Sequence, residues 1–161
     1  MSLQWKDVYK LDHFVLDAQH QQLFVRVSKF LLSKDRAEMT VVGAALSEYT
    51  RFHLSYEECL MKRYQYPDCD EHLDEHGSLI SLLDGVMGDL GYFSQHRDDM
   101  AAFMKSWVLA HISTSDKRLA AHIAFCLEYD APNESDVTTC AAAWDSDAKT
   151  PPVSLLTLAK T

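Results

Sequence analysis

Histidine and carboxylate residues recur at helical spacing in separate segments of the chain. His72 and His76 lie four residues apart in the segment CDEHLDEH, and His53 and Glu57 have the same spacing. Residues four apart fall on one face of an α-helix, so each pair would project from one side of its helix. A buried imidazole or carboxylate needs a polar partner, and helices that face one another can share such a partner. The pattern therefore constrains how the helices pack.

Four helical stretches are predicted, at about residues 17–33, 39–64, 68 or 70 to 87, and 97–128, with Asp17 as the N-cap of the first. Glycine (5) and proline (4) are scarce among the 161 residues, which favours helix. The connections are short, so neighbouring helices should be antiparallel. The sequence therefore predicts an all-α fold, an up-down antiparallel four-helix bundle. The glycine-containing segment DGVMGDLG is expected to loosen the end of the third helix.

Two segments fall outside the predicted bundle. Residues 1–15 carry Trp5, Tyr9 and Phe14 and are too short for another core element, so an N-terminal arm packed on the bundle is expected. Residues 130–149 are small and polar and look like a linker, and residues 150–161, TPPVSLLTLAKT, look like the start of a new helix. We therefore divide the chain into a domain at 1–129 and a C-terminal extension at 130–161.

Charge and composition exclude several classes of partner. The net charge of −9 argues against nucleic acid and against an anionic membrane surface. No apolar run approaches the ~20 residues of a membrane span, and the N-terminus lacks the basic-then-apolar order of a signal peptide. The four cysteines form no CxxC pair, which favours reduced thiols. These features together predict a cytoplasmic protein.

Every predicted helix contributes at least one residue that can bind a metal. Taken alone, each is more typical of a surface pair or a helix cap, but their occurrence on all four helices favours a buried centre. Imidazole with carboxylate suits zinc, iron, copper or nickel better than magnesium or calcium. The candidate ligands are His20, His53, Glu57, His72, His76, His111 and Asp116.

Seven ligands are too many for one ion but suit two. If Glu57 and Asp116 bridge two six-coordinate ions together with one solvent oxygen, three histidines complete one ion. Two histidines then leave the other ion with an open position for a small molecule. Asp116 lies five residues after His111, about 140° round a regular helix. We therefore expect a π-type bulge between His111 and Asp116, of the kind that gathers at functional sites.

The remaining histidines and acids have plainer interpretations. His13, His96 and His122 have no partner at ligand spacing and are interpreted as surface or loop residues. The acids that surround the third-helix histidines are predicted to form a solvated helix face. These acids are Asp70, Glu71, Asp74 and Glu75.

The segments LDAQHQQLF, YTRFHLSYEECLM, YPDCDEHLDEH and SWVLAHISTSD resemble the hemerythrins, in particular the bacterial hemerythrin-like domains. That family binds a non-haem di-iron centre in a four-helix bundle and binds O₂ reversibly. The resemblance implies two iron ions and O₂ as ligand, with nitric oxide or other small anions as alternatives. It assigns His72, His76 and His111 to the six-coordinate iron and His20 and His53 to the iron with the open position, with Glu57 and Asp116 bridging. Leu23, Trp107, Val108 and Ile112 match the apolar lining of the family's O₂ pocket.

Some positions depart from the family pattern without removing a ligand. Gln21 replaces a common lysine, and Asp12-His13 replaces a glycine-hydrophobic pair. Leu54 and Leu79 stand where phenylalanine is common. These departures affect the expected pocket size, O₂ affinity and autoxidation rate.

Alternative functions remain open on the sequence. Ferritin-like di-iron oxidases use Glu-x-x-His pairs, which this sequence lacks, so an O₂ binder is favoured over an enzyme. A di-zinc or single-iron site also fits the ligand types.

Residues 150–161 resemble the helical lead-in that precedes diguanylate cyclase catalytic domains. We therefore expect an N-terminal O₂ or redox sensor of a larger signalling protein, with a free-standing O₂ storage or delivery protein as the alternative.

Overall fold

The computed structural model describes residues 3–129, which are helical apart from short connections. A 3₁₀ turn at Asp7–Tyr9 precedes the helices, and a π-helical turn at Ile112–Asp116 joins the last two into one continuous run. The helices are α1 (Phe14–Leu31), α2 (Arg36–Arg63), α3 (Cys69–Gly88), α4 (Leu90–Gln95), α5 (Arg97–His111) and α6 (Lys117–Tyr129).

Neighbouring long helices are antiparallel, as an up-down bundle requires, because later residues of one helix contact earlier residues of the next. His20 of α1 meets His53 of α2, whereas Phe30, ten residues further along α1, lies beside Gly43 of α2. On the other side of α2, Glu57 faces His72, and the earlier residue Gly43 lies beside Met87. The helical run α5–α6 is antiparallel to α1, because Arg97 bonds to the Leu31 carbonyl whereas the later Asp116 meets the earlier His20. The same run is antiparallel to α3, since His111 meets His72 and Arg118 meets Asp68. The predicted four-helix bundle is confirmed.

The helix starts differ from the expectation at α1. His13 is the N-cap, and its Nδ1 accepts a hydrogen bond from the Leu16 amide at 3.3 Å, so Asp17 as the cap is wrong. Asp17 lies within the first turn and accepts from the Leu11 amide at 2.8 Å. The side chain of Asp17 thereby fastens the N-terminal arm to the bundle.

The arm packs against α1 as expected. The amide of Leu3 donates to Ser28 Oγ at 2.8 Å, and that hydroxyl donates back to the Leu3 carbonyl at 2.7 Å. The ring of Trp5 meets the edge of Phe24, with the centroids 5.3 Å apart, and stacks over His20 at 6.4 Å. The arm therefore covers one side of the predicted metal centre.

The short helix α4 was not expected, because glycines dominate its neighbourhood. Asp89 ends α3 and caps α4, accepting from the Tyr92 amide at 2.8 Å. Phe93 of α4 is 1% exposed and packs on Phe30 with the ring centroids 4.9 Å apart. Burial of this ring outweighs the low helix propensity of the flanking glycines.

Two apolar clusters lie on either side of a buried polar layer. The larger includes Phe24, Phe30, Leu46 and Phe93. The smaller contains Leu16, Tyr56, Leu60, Met61, Tyr66, Leu119 and Ile123. Along their helices, His20, His53 and Asp116 each lie between residues of the two clusters.

The cysteine prediction is partly wrong. Cys69 and Cys126 are free thiols, but Cys59 is disulfide-bonded. Cys140 and the predicted C-terminal extension lie outside the described residues. Within residues 3–129, no helix is both long enough and apolar enough to span a membrane.

Candidate metal centre

All seven predicted ligands meet in the middle of the bundle, and all are buried. None is more than 6% exposed, and His20, Glu57 and Asp116 are fully enclosed. The sequence prediction that these side chains turn inward is therefore correct for each of them.

The ligand atoms form two groups that share one carboxylate. Glu57 joins the three histidines of α3 and α5 in one group, and it joins His20, His53 and Asp116 in the other. Within each group, the ligand atoms lie within 4.8 Å of one another. The first group is Glu57, His72, His76 and His111.

Asp116 also faces both groups. Its Oδ2 lies 3.1 Å from His20 Nε2, and its Oδ1 lies 3.0 Å from His111 Nε2 and 3.2 Å from His72 Nε2. Each of its oxygens thus points to a different group, which is the arrangement needed for a bridging carboxylate.

The spacing of the imidazoles suits coordination to a shared ion. His20 Nε2 lies 3.1 Å from His53 Nε2, and His72 Nε2 lies 3.3 Å from His111 Nε2. Nitrogens bound at about 2.1 Å from an ion and at right angles to one another are separated by about 3.0 Å. The observed distances match neighbouring ligands of one metal.

Several ligand atoms lack any hydrogen-bond partner in the described part of the chain. Both oxygens of Glu57, both oxygens of Asp116 and Nε2 of His76 are buried without one. An unsatisfied buried polar group costs about 1–3 kcal/mol, and more when charged. Cations placed among these atoms would remove that cost, so the donor set fits a pair of metal ions.

The π-helical turn at Ile112–Asp116 gives Asp116 its orientation. A regular helix would carry its side chain away from that of His111, whereas the wider turn brings both toward the centre. The predicted bulge between these two residues is confirmed.

Burial and mutual charge shift the pKa values of these groups in the metal-free protein. Burial, followed by the negative charge of Asp116, raises the pKa of Glu57 to about 8. Burial alone would lower the pKa of His111, but the negative charge of Asp116 beside it raises that pKa to about 9. The pKa of Asp116 lies well below its ordinary value, because the imidazole groups around it outweigh its burial. Metal ions would therefore displace bound protons.

An apolar cavity of about 40 Å³ adjoins the ligands. A water molecule needs roughly 10–15 Å³ on the same measure, so the cavity has room for a diatomic molecule. His53, His111 and Asp116 bound its polar end. The four residues predicted as pocket lining (Leu23, Trp107, Val108 and Ile112) all contact it. Leu54 and Leu79, which replace common phenylalanines, also line it.

The sequence interpretation missed the groups that bind the outer nitrogens of the histidines. Glu75, assigned to a solvated face, accepts from His111 Nδ1 at 2.6 Å. Gln19 accepts from His53 Nδ1 at 2.9 Å, and Glu58 lies 3.4 Å from His76 Nδ1. Each is an immediate neighbour in sequence of a ligand, which is the only signal that could have found them. The other three acids of that face are not among the ligand groups.

Comparison with known proteins agrees with this geometry. A family model for the hemerythrin HHE cation binding domain matches residues 12–123. A bacteriohemerythrin of Stenotrophomonas maltophilia is 23% identical over 124 residues, 75% of this chain and 81% of that protein. A hemerythrin of Phascolopsis gouldii is 27% identical over 112 residues, 70% of this chain and 85% of that protein. A crystal structure of a hemerythrin with a leucine-to-tyrosine substitution superposes with a TM-score of 0.65 at 25% identity, covering 75% of this chain and 97% of that one.

Proposed function

The chain belongs to the hemerythrin family, whose members bind O₂ at a non-haem di-iron centre, and from this premise we propose that its seven buried ligands hold two iron ions. The supporting observation is the pair of four-ligand groups that share Glu57. A shared carboxylate between two ion-sized groups is the arrangement of a dinuclear centre rather than of a single-ion site.

The proposed roles follow from the grouping of ligand atoms. His72, His76 and His111 are the terminal ligands of one iron, and His20 and His53 are those of the other. Glu57 and Asp116 bridge the two. Three histidines would hold the first iron and two would hold the second, so the second iron would keep a position for a small molecule. When bound, the iron pair supplies the electrons for reversible binding of O₂.

The cavity is proposed as the O₂ pocket. Its walls include Leu23, Trp107, Val108 and Ile112. The only hydrogen-bonding group among these four side chains is the indole N–H of Trp107. An apolar enclosure limits access of water and protons to the open position, and so limits loss of bound O₂ by oxidation of the iron. Nitric oxide and small anions are candidate competitors at the same position.

A metal count with an optical spectrum tests the proposal. The protein is reduced anaerobically, exposed to O₂, and then freed of O₂ again. We expect two irons per chain and ligand-to-metal bands that appear with O₂ and fade on its removal. His53→Ala should abolish the bands, whereas His96→Ala, at an exposed helix cap, should retain them. Zinc, or no metal, in the native protein would contradict the proposal.

A sensory role is proposed as the physiological use of this binding. The support is in the sequence of residues 150–161, where Pro-Pro and several leucines resemble the helical lead-in of a diguanylate cyclase domain. Sequencing the reading frame beyond Thr161 tests this role. A catalytic domain there, with cyclase activity that differs between O₂ and nitrogen, would support it. A stop codon directly after Thr161 would favour storage or delivery of O₂ instead.

The remaining roles are tested by simple measurements. A binding protein should turn over no organic substrate, so steady consumption of O₂ in the presence of a reductant and a phenol would instead favour an oxidase. The cytoplasmic location stays a prediction that cell fractionation tests.

A further inference from the structure

The outer nitrogens of the metal-binding histidines meet chemically different groups in the two halves of the centre. In the half formed by His72, His76 and His111, two imidazoles face carboxylates, Glu58 and Glu75. In the other half, His53 faces the neutral amide of Gln19. Carboxylates thus lie only on the side of the proposed six-coordinate iron in this set of contacts.

Glu75 makes the shortest of these contacts and is itself held in place. Its Oε2 accepts from His111 Nδ1 at 2.6 Å and from Ser115 Oγ at 2.6 Å. Ser115 belongs to the π-helical turn and is 1% exposed. One carboxylate oxygen of α3 therefore links a metal ligand on α5 to the distorted turn that carries Asp116.

The position of Glu75 between solvent and centre distinguishes it from a buried ligand. Its side chain is 33% exposed, and it borders a surface cleft together with Trp107 and His111. Trp107 stacks on the His111 ring, with centroids 5.0 Å apart and planes 16° apart. The imidazole is thus held by a hydrogen bond at its edge and by an aromatic ring on its face.

An imidazole that donates Nδ1–H to a carboxylate is fixed in the tautomer whose Nε2 is free to bind a metal, and its Nε2 becomes a stronger donor. A stronger donor stabilises the higher charge of an oxidised iron. A neutral amide such as Gln19 fixes the tautomer but adds less donor strength.

We propose that Glu75 is a positioning residue for the metal centre: it orients His111 through Nδ1 and biases the iron bound there toward its oxidised state. Ser115 serves this role by holding the carboxylate oxygen against the ring. The inference rests on the di-iron centre proposed above. It goes beyond that proposal by assigning control of redox balance to a residue that does not bind the metal.

Glu75→Gln tests the proposal, because it keeps the shape of the side chain and removes its charge. Glu71→Gln is the matched control: Glu71 lies one turn earlier on α3 and borders the same cleft, and its oxygen lies 3.7 Å from Arg118 rather than at a ligand. Ser115→Ala is a second variant, which retains the charge but releases the carboxylate. The measurements are iron affinity, the midpoint potential of the centre and the helical circular dichroism of each variant.

We expect E75Q to bind iron about 10–100-fold more weakly and to raise the midpoint potential, with E71Q unchanged and S115A shifted in the same direction by less. Equal shifts in E75Q and E71Q would mean that the loss of any nearby negative charge changes the potential, without a contact to His111. This outcome would overturn the proposal. So would an unchanged affinity and potential in E75Q. If the native protein itself fails to bind two irons, the di-iron proposal fails first, and the native metal count distinguishes that outcome.

Discussion

Asp116 Oδ1 lies 3.0 Å from His111 Nε2, although five residues separate the two positions and a regular helix would turn them apart. The π-helical turn supplies the missing rotation. It exposes Ser113 and Thr114 while burying Ile112, Ser115 and Asp116. The turn therefore places a residue of the apolar cavity, the hydroxyl that holds Glu75 and a buried carboxylate of the candidate metal centre within five positions.

Removal of the Asp116 carboxylate should empty the centre. Asp116 faces both groups of ligands, so in Asp116→Ala each group retains only the carboxylate of Glu57. We therefore expect fewer than two irons per chain. The measurement is iron content after anaerobic reconstitution. Asp99→Ala, at an exposed site on α5, is the control and should retain two. Full iron content in D116A would show that Asp116 is not a ligand.

The sequence predicted that seven imidazole and carboxylate side chains turn inward, because such residues occur on all four predicted helices and twice recur four residues apart. It did not predict Glu75 or Gln19, since each lies beside a ligand in sequence and thus about 100° round the helix from it. Whether such a side chain meets solvent or a neighbouring ring depends on how the helices are rotated against one another. The same limit applies to α4, where burial of Phe93 outweighs local propensity. The bulge was predictable because the spacing of His111 and Asp116 is incompatible with a straight helix that points both inward.

The stability of the metal-free protein should fall as pH rises from about 6.5 to about 9. The pKa of Glu57 is raised from 4.5 to about 8, and that of His111 is raised from 6.5 to about 9. In this range the folded protein holds protons that the unfolded chain has released, so raising the pH favours unfolding. The pKa values of His53 and His76 are lowered, so the titration of these two residues changes the stability only at pH values below this range. Urea unfolding of the metal-free protein at a series of pH values measures the slope.

Glu57→Gln provides the check on that slope. The variant lacks the carboxyl group and should show a shallower dependence on pH between 6.5 and 9, with His111 accounting for the remainder. A matched change at an exposed acid of the same helix, Glu48→Gln, should leave the slope as it is. Equal slopes in the native protein and E57Q would contradict the assignment of the raised pKa.

Leu79→Phe should slow autoxidation of the O₂-bound protein. Leu79 is half-buried and lines the cavity beside the metal centre. A larger ring there reduces the space through which water reaches the open position. The rate is measured from the decay of the optical bands in air.

Leu82→Phe is the control for this effect, because Leu82 is a half-buried residue of the same helix that packs on the core and does not line the cavity. The cavity argument requires the decay to slow in L79F and to stay unchanged in L82F. A faster decay in L79F would mean that the ring opens the pocket rather than fills it.

Gly43→Ala should destabilise the bundle, in spite of the higher helix propensity of alanine. A Cβ at Gly43 would lie 2.5 Å from Met87 Sδ and 2.9 Å from Phe30 Cε2. The thioether can move, but the Phe30 ring is fully buried, so α1 and α2 must separate slightly. Overpacking of this kind costs about 1–3 kcal/mol, against a propensity gain of about 1 kcal/mol.

At Gly85 of α3 nothing lies within 4 Å of the added carbon, so Gly85→Ala should raise the melting temperature. A melting temperature of G43A above that of the native protein would mean that α1 and α2 are not packed as closely as the contact at Gly43 requires.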